Sequence, residues 1–281
     1  MNGTGPDRRG RDACSPAHVA GGVAFLAAGL LGLTPVPEAA AVPLGAFVLA
    51  CLAAPFFPRS RFFLPVISRG KRVEKAVALT FDDGPDPRVT PRLLDLLERH
   101  GTPATFFVAG NRVEAFPGLV RDILARHHAV GNHSCRHDPF LMLRSRRRLR
   151  EEIVRTQVLL APFGVRPLAF RPPVGITSPR LPGVLTSLGM DCVTFSCRGG
   201  DFGNRRVGGL AQRILKRVHP GAIVLLHDVV PSGAAGIPGW FDEVEAILTG
   251  LEARGYRVHP LAELIGRPVM ERRPPSDRDF S

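Results

Sequence analysis

The sequence predicts an α/β fold, a distorted (β/α) barrel preceded by an N-terminal transmembrane helical hairpin. From about residue 73 onward, short apolar segments alternate with amphipathic segments of helical periodicity. Such alternation is typical of a mostly parallel sheet covered by helices. Ahead of that region lie two uncharged apolar runs, residues 19–33 and 39–57, separated by a short break. About seven strand–helix units fit a barrel better than an open sheet.

The composition limits the classes of protein to which the chain can belong. The 281 residues, of which 44% are hydrophobic and 22% charged, suffice for one catalytic domain plus a short accessory segment, and they are not those of a disordered chain. The formal net charge of +12 permits an anionic membrane surface or an acidic substrate, or it reflects an arginine-rich coding bias. The dense basic run at 144–150 lacks the interleaved aromatic residues that stack on bases, so no nucleic acid is expected as a partner.

The cysteines argue against two kinds of site. Their number is five, which is odd, and no CxxC pair occurs. A disulfide framework and a cysteine zinc site are therefore not expected, and a reducing compartment is permitted.

The two apolar runs have three interpretations. A helix that spans a bilayer needs about 20 apolar residues, and run 39–57 approaches that length, whereas run 19–33 does so only with its flanking residues. A secretory signal peptide fits poorly because a second run follows and no small-residue cleavage pattern is present. A lipoprotein signal ending at Cys51 fits poorly because this cysteine lies inside the second run. We therefore expect two membrane-spanning segments within residues 17–58, in the inner (cytoplasmic) membrane.

The distribution of charged residues predicts the orientation of the hairpin in the membrane and the boundaries of the other segments. The polar N-terminal tail, 1–16, and the linker, 59–73, are basic, whereas the hairpin tip has no lysine or arginine. Because positive residues favour the cytoplasmic side, both ends and the catalytic domain, 74–266, are expected in the cytoplasm. Residues 267–281 are charged and proline-rich, which predicts a flexible C-terminal tail.

Within the catalytic domain, residue types and the spacing of apolar residues predict each strand and helix. The first two strands (AVALTF, ATFFVA) are rich in apolar, β-branched and aromatic residues, and the first two helices carry leucine, isoleucine and valine on one face. Strands are predicted at 76–81, 104–109, 169–171, 191–196, 223–227 and 256–259. Helices are predicted at 92–100, 119–127, 143–160, 207–218 and 241–254.

Two motifs carry metal-type chemistry. Asp82 and Asp83 end an apolar strand and precede a Gly-Pro turn; alone, this is equally typical of an Asx turn or a helix cap. His133 and His137 are four apart and can face one metal, although alone they fit a chance surface pair. Two imidazoles plus one carboxylate suit zinc or a similar divalent ion and leave positions for water and substrate.

Three further clusters follow predicted strands. They are the Arg-Pro-Pro loop that begins at Arg171, a glycine-rich segment that carries Asp201, and an apolar strand that ends in His227. Each has a structural alternative, such as a rigid loop or a satisfied core histidine. In parallel barrels, however, the C-terminal ends of the strands hold the active site, so the five clusters together favour one site there.

The ordered motifs TFDDGP, HSCRH, RPPVG, the Asp201 segment and LLHD resemble those of the polysaccharide deacetylases, carbohydrate esterase family 4, over about residues 74–262. TFDDGP together with HSxxH is the most specific part. The resemblance implies a metal-dependent hydrolase, with zinc as the expected ion. It would remove an N-acyl group, expected to be N-acetyl, from an amino sugar in a polysaccharide or a lipid-linked glycan of the cell envelope.

The resemblance also implies a role for each matching residue. Asp83, His133 and His137 would bind the metal. Asp82 would be the general base, and Arg171 would hold it in its ionised form.

On the substrate side, His227 would be the general acid, with Asp201 raising its pKa. Leu225 would line the pocket for the acyl methyl group, and the backbone N–H of Val174 would contribute to an oxyanion hole. Phe202 would contact substrate where family members often carry Trp, and Val174 stands where they often carry Tyr. These departures reduce the sugar-stacking surface and leave the substrate open. A catalytically decayed membrane adaptor is the alternative, disfavoured because the metal ligands and the base are all present.

Overall fold

The computed structural model describes residues 15–71, 75–232 and 236–272. The strands are β1 Val66–Ile67, β2 Ala76–Asp82, β3 Ala104–Val108, β4 Ala129–Asn132, β5 Val165–Pro167, β6 Ala169–Phe170, β7 Asp191–Val193, β8 Cys197–Arg198, β9 Ala222–His227, β10 Arg257–Val258 and β11 Met270–Arg272. The α-helices are α1 Pro16–Gly32, α2 Ala41–Ala53, α3 Thr90–Arg99, α4 Gly110–Ala115, α5 Pro117–Ala125, α6 Arg146–Leu160, α7 Leu181–Leu188, α8 Leu210–Arg217, α9 Gly236–Ala253 and α10 Leu261–Ile265.

Within the described ranges the main sheet has nine strands, in the order β1-β7-β6-β4-β3-β2-β9-β8 with β10 added beside β2. Every pair of neighbouring strands in it is parallel. Among the described residues no strand pairing joins β1 to β8. The α/β prediction is therefore confirmed, and the predicted barrel takes the form of a curled half-barrel.

Alternation along the central strands separates the packing face from the functional face. Leu79 and Phe81 of β2 are fully buried in the cluster that contacts the outer helices. Thr80 and Asp82 point to the other face, because successive side chains of a strand alternate. In the parallel register Asp82 lies beside His227 of β9, so both polar side chains end up on the inner face, at the carboxyl end of the sheet.

Helix α3 illustrates how the outer layer is fixed. It carries Pro91 in its first turn, where a missing N–H costs nothing, and it ends before Gly101, which adopts φ 54°. Its buried face consists of Thr90, Leu93, Leu94, Leu96 and Leu97. Because each fully buried leucine contributes about 1.5–3 kcal/mol, the helix is held firmly beside the loop that follows β2.

Two predicted boundaries need correction. The segment predicted as a basic linker, 59–73, contributes β1, whose Val66 pairs with Cys192 of β7. The segment predicted as a flexible tail, 267–281, begins with β11, which pairs antiparallel with β5. Strands of two or three residues leave no periodic pattern in a sequence, so composition alone misassigned them. The parts of these predictions that fall on 1–14, 72–74 and 273–281 lie outside the described residues.

The N-terminal helices α1 and α2 pack side by side. Gly21 allows close approach, since a Cβ there would lie 3.0 Å from Cζ of Phe47, and Phe25 meets Phe47 edge to face at 6.5 Å between ring centroids. In the part of the chain that the structure describes, one segment, Pro37–Phe56, is long and apolar enough to cross a membrane, with 20 residues and a mean hydropathy of 2.0. Pro16–Gly32 is apolar but shorter, so the second span stays a prediction.

Candidate active site

The predicted motifs meet at the carboxyl ends of the parallel strands. Asp83 follows β2, the loop that holds His133 and His137 follows β4, and Arg171 follows β6. Asp201 lies three residues after β8, and His227 is the last residue of β9. In parallel α/β proteins this edge is where side chains from separate loops converge.

Three side chains form a metal-type cluster. The Asp83 Oδ1 atom lies 3.3 Å from Nε2 of His133 and 3.1 Å from Nε2 of His137, and one ligand atom of each residue lies within 4.8 Å of the others. Asp83 Oδ1 is buried and has no hydrogen-bond partner among the residues that the structure describes, which is costly for a carboxylate oxygen. A divalent cation would satisfy this oxygen and both imidazole nitrogens, so the three residues fit a metal ion.

A hydrogen bond on the side of the ring away from Asp83 sets the orientation of His133. Its Nδ1 lies 2.8 Å from the carbonyl oxygen of Arg171. Because a carbonyl only accepts, Nδ1 carries a proton, and Nε2 is the ring nitrogen that faces Asp83. The ring is thereby oriented so that Nε2 is the atom that would bind a metal.

The loops that carry the cluster adopt unusual backbone conformations. Asp83, Ser134 and His137 have φ of 73°, 65° and 50°, a left-handed region that residues other than glycine seldom adopt. Asn132 supports one of these turns, because its Oδ1 accepts from the Ser134 N–H at 2.9 Å and its Nδ2 donates to the Ile153 carbonyl of α6 at 2.9 Å. Such conformations persist where surrounding contacts over-determine them, as at functional sites.

The protonation tendencies agree with a cation site. Burial raises the pKa of Asp83, but neighbouring His133, His137 and His227 outweigh it and bring the pKa below its usual range. Burial lowers the pKa of His137, and the charge of His133 lowers it further. For His133, burial lowers the pKa but Asp82 and Asp83 raise it more. Asp83 is therefore ionised at neutral pH, as a ligand must be.

Asp82 and Arg171 form a buried ion pair. Nη1 of Arg171 donates to Oδ1 of Asp82 at 2.6 Å and to Oγ1 of Thr80 at 2.8 Å. Nη2 donates to the Thr194 carbonyl at 3.0 Å, and the guanidinium lies 3.9 Å from the Phe107 ring centroid. Burial lowers the pKa of Arg171, and Asp82 opposes that shift. The other Asp82 oxygen, Oδ2, faces the cluster, 3.7 Å from Nε2 of His133.

His227 and Asp201 form the second charged pair. Nδ1 of His227 lies 2.6 Å from Oδ2 of Asp201. Burial by itself lowers the pKa of His227, but the hydrogen bond and charge of Asp201, helped by Asp83 and Asp82, raise it to about 9. The imidazolium is therefore the main form at neutral pH, with its Nε2–H free to donate a proton.

Three predicted pocket residues line the same edge. Leu225 is nearly buried on the inner face, two residues before His227. Val174 is 50% exposed with φ 53°, and Phe202 is 68% exposed with φ 51°. Left-handed geometry is a true outlier for a β-branched residue such as Val174. All ten predicted site residues thus lie at one edge of the sheet, and Phe202 supplies an exposed aromatic ring.

Comparisons with known proteins agree with this arrangement. A family model described as polysaccharide deacetylase matches residues 69–193. The chitooligosaccharide deacetylase of Bradyrhizobium sp. is 34% identical over 68% of this chain and 90% of its own length. The chain belongs to the polysaccharide deacetylase family, carbohydrate esterase family 4.

Two further members of the polysaccharide deacetylase family are similar to the chain. The peptidoglycan-N-acetylglucosamine deacetylase PgdA of Listeria monocytogenes is 35% identical over 73% of this chain. The match spans 42% of that longer relative. The crystal structure of another peptidoglycan N-acetylglucosamine deacetylase aligns with a TM-score of 0.67 and 30% identity, covering 73% of this chain and 94% of the other.

The deacetylase fold also uses residues that sequence reasoning did not single out. Asp228 is fully buried, its N–H donates to the Asp82 carbonyl at 2.8 Å, and its Oδ2 accepts from Thr90 Oγ1 at 2.7 Å. Burial raises the pKa of Asp228 well above its ordinary value. Gly84 is required beside it, since a Cβ there would lie 2.3 Å from Asp228 Oδ2. The sequence feature that could have indicated Asp228 is the motif LLHD, in which a carboxylate follows directly after a strand that is apolar up to its last residue, His227.

Asn204 is a second residue of this kind. Its Nδ2 donates to the carbonyls of His227 at 2.9 Å and Val229 at 2.7 Å, which fixes the turn after β9. No sequence pattern indicated it, because a single asparagine in a glycine- and arginine-rich loop is ordinary.

Proposed function

We propose that this chain is a metal-dependent hydrolase that removes the N-acetyl group from an amino sugar in a polysaccharide or lipid-linked glycan. The observation that carries the proposal is the convergence of Asp83, His133 and His137 with the two charged residues Asp82 and His227. The names of the relatives, peptidoglycan-N-acetylglucosamine deacetylase and chitooligosaccharide deacetylase, support the same reaction class.

Asp83, His133 and His137 would hold the metal ion. Two imidazole nitrogens and one carboxylate oxygen form the donor set of many catalytic zinc sites, so zinc is the ion we propose. When bound, the ion polarises the acyl carbonyl and makes water a stronger acid.

The chain's own residues would move the protons. Asp82 accepts a proton as water attacks the acyl carbon, and Arg171 keeps this carboxylate oriented and paired. His227 gives its proton to the sugar nitrogen as the C–N bond breaks, because an amide ion is a very poor leaving group. Asp201 keeps His227 charged until that step. The products are acetate and the free amine of the sugar.

Two pocket residues complete the proposal. The backbone N–H of Val174 would donate to the oxyanion that forms on the acyl oxygen, a contact that contributes about 3–4 kcal/mol in comparable enzymes. Leu225, which is buried on the inner face two residues before His227, would contact the acyl methyl group.

We infer that α1 and α2 form a two-span hairpin that anchors the enzyme to the inner membrane. A 20-residue helix is about 30 Å long, which matches the hydrocarbon core. Basic residues flank the hairpin and none lies at its tip, which supports a catalytic domain on the cytoplasmic side. A C-terminal alkaline phosphatase fusion should be inactive; an active fusion would overturn this topology.

Acetate release tests the reaction. The full-length protein, loaded with zinc, is incubated with N-acetylglucosamine oligomers and with polyprenyl-phosphate-linked N-acetylglucosamine. We expect acetate from at least one substrate, and Asp82→Asn, which keeps the size of the side chain, should abolish it while metal stays bound. Absence of acetate from both substrates would contradict the proposal and favour the decayed adaptor.

A further inference from the structure

The base of the hairpin is docked on the wall of the active site. The Pro55 carbonyl, just after α2, accepts from the Thr177 N–H at 3.3 Å, and the Pro58 carbonyl accepts from Thr194 Oγ1 at 2.6 Å. The first turn of α1 is bound as well, because the Ala17 N–H donates at 2.9 Å to a carbonyl of the segment that follows α2. Both ends of the hairpin therefore meet the catalytic domain at the same place.

This docking place is close to the reacting groups. Thr177 lies three residues after Val174, a separation of at most about 11 Å along an extended chain. The Thr194 carbonyl accepts from Arg171, the partner of Asp82, at 3.0 Å. If the hairpin spans a bilayer, the active site is consequently held near the membrane surface and cannot move far from it.

An exposed apolar patch lies beside the same base. Leu141 and Met142 are buried in one cluster together with side chains of the hairpin base, Ala17, Cys51 and Ala54. The neighbouring side chains Phe140 and Leu143 are 61% and 75% exposed.

Phe56 and Phe57 at the end of the hairpin are similarly exposed, at 68% and 61%. We call Phe56, Phe57, Phe140, Leu143 and the exposed Arg144 the interface patch. Exposed apolar clusters mark interaction sites, and aromatic residues with arginine are typical of the headgroup region of a membrane.

We propose that the interface patch lies in the lipid headgroup region and that the enzyme acts on an amino sugar linked through phosphate to a membrane lipid. The occupant of the patch is thus the bilayer surface, where such a substrate carries its sugar within reach of the site. Arg144 pairs with Asp138 at 3.0 Å, and together with its basic neighbours at 146–148 it attracts the substrate phosphate and anionic headgroups. The inference rests on the proposed deacetylation and on the membrane anchor.

The test compares two substrates in one preparation. Full-length zinc-loaded enzyme in phospholipid vesicles is assayed for kcat/KM with polyprenyl-phosphate-linked N-acetylglucosamine and with a soluble N-acetylglucosamine oligomer. We expect the wild type to prefer the lipid-linked substrate. The variant Phe140→Glu/Leu143→Glu should lower the ratio of the two kcat/KM values at least about tenfold, because it removes apolar burial and adds charge at the interface.

Two control variants show whether a lower ratio results from the change at the interface patch or from a substitution at any exposed apolar position. Val158→Glu changes an equally exposed apolar residue, 63% exposed at the far end of α6, and should leave the ratio within about twofold of wild type. Leu143→Trp should preserve the ratio, since tryptophan is favoured at membrane interfaces. An unchanged ratio in the double glutamate variant, or a wild-type preference for the soluble oligomer, overturns the inference while deacetylation stands. Absence of acetate from both substrates refutes the proposed function and this inference with it.

Discussion

Asp82 and His227 are register partners on the neighbouring parallel strands β2 and β9. Their backbones are tied together, because the Asp228 N–H donates to the Asp82 carbonyl at 2.8 Å. Each is also bound to a buried partner of opposite charge, Arg171 and Asp201, from a different loop. The proposed proton acceptor and donor are therefore held at a fixed separation by the sheet itself, which is the rigid support that catalytic groups need.

Asp82→Asn should lower kcat at least about 100-fold, because general base catalysis contributes roughly 10²–10⁴-fold. Metal content should stay at the wild-type level, since Asp82 is not among the proposed ligands. Acetate release and metal analysis of the same sample measure both quantities. Loss of metal along with activity would mean that Asp82 is a ligand and that its assignment as base is wrong.

Asp201→Asn should move the alkaline limb of the rate profile to lower pH. The pKa of His227 is about 9, and without Asp201 it should fall toward the ordinary value of about 6.5. The protonated imidazole is the active form. The rate of the variant should therefore fall at a pH more than one unit lower than the pH at which the wild-type rate falls. The kcat against pH profile measures this shift. Asp242→Asn, an exposed change on α9, should leave the profile unchanged; a profile of Asp201→Asn that matches the wild type would remove Asp201 from this role.

His137→Ala should weaken zinc binding more than about tenfold, because even groups that only support a ligand are worth about 10–100-fold in metal affinity. Competition with a chromophoric chelator measures the dissociation constant. His259→Ala, which changes a histidine outside the site, serves as the matched control and should bind zinc like the wild type. Equal affinity in both variants would contradict the proposed ligand set.

Arg171→Met should destabilise the fold by about 3–5 kcal/mol, because it leaves the Asp82 carboxylate buried without a partner. For a domain of this size the thermal unfolding midpoint in detergent should fall by about 10 °C. Arg171→Met combined with Asp82→Asn should recover part of the loss, since no unpaired charge then remains. A double variant no more stable than the single one would contradict an unpaired Asp82 charge as the cause of the loss.

The sequence carried enough information to place the site because its residues fall in short motifs that follow apolar strands. The apolar runs at residues 76–81 and 223–227 predicted buried strands, which correspond to β2 and β9, and with them the positions of Asp82 and His227. The convergence itself followed from a general property of parallel sheets.

Other features depend on contacts between distant segments. β4, Ala129–Asn132, was missed because its glycine and asparagine are poor strand residues, and only pairing with β3 and β6 makes it a strand. Helix α6 begins at Arg146 and not at the predicted residue 143, because the Ser145 side chain accepts from the Arg148 N–H at 3.2 Å and caps the helix there. The hydrogen bonds from Arg171 to backbone carbonyls could likewise not be predicted from the sequence, because every residue has a backbone carbonyl and no residue type marks the ones that accept.

The proposed reaction depends on one ion that Asp83, His133 and His137 bind together. Anomalous diffraction at the zinc edge from crystals of the zinc-loaded full-length protein tests it directly. We expect a single strong peak about 2.0–2.2 Å from Nε2 of both histidines and from an oxygen of Asp83. A zinc ion held by other residues, or these three side chains free of metal in a zinc-loaded and active protein, would contradict it.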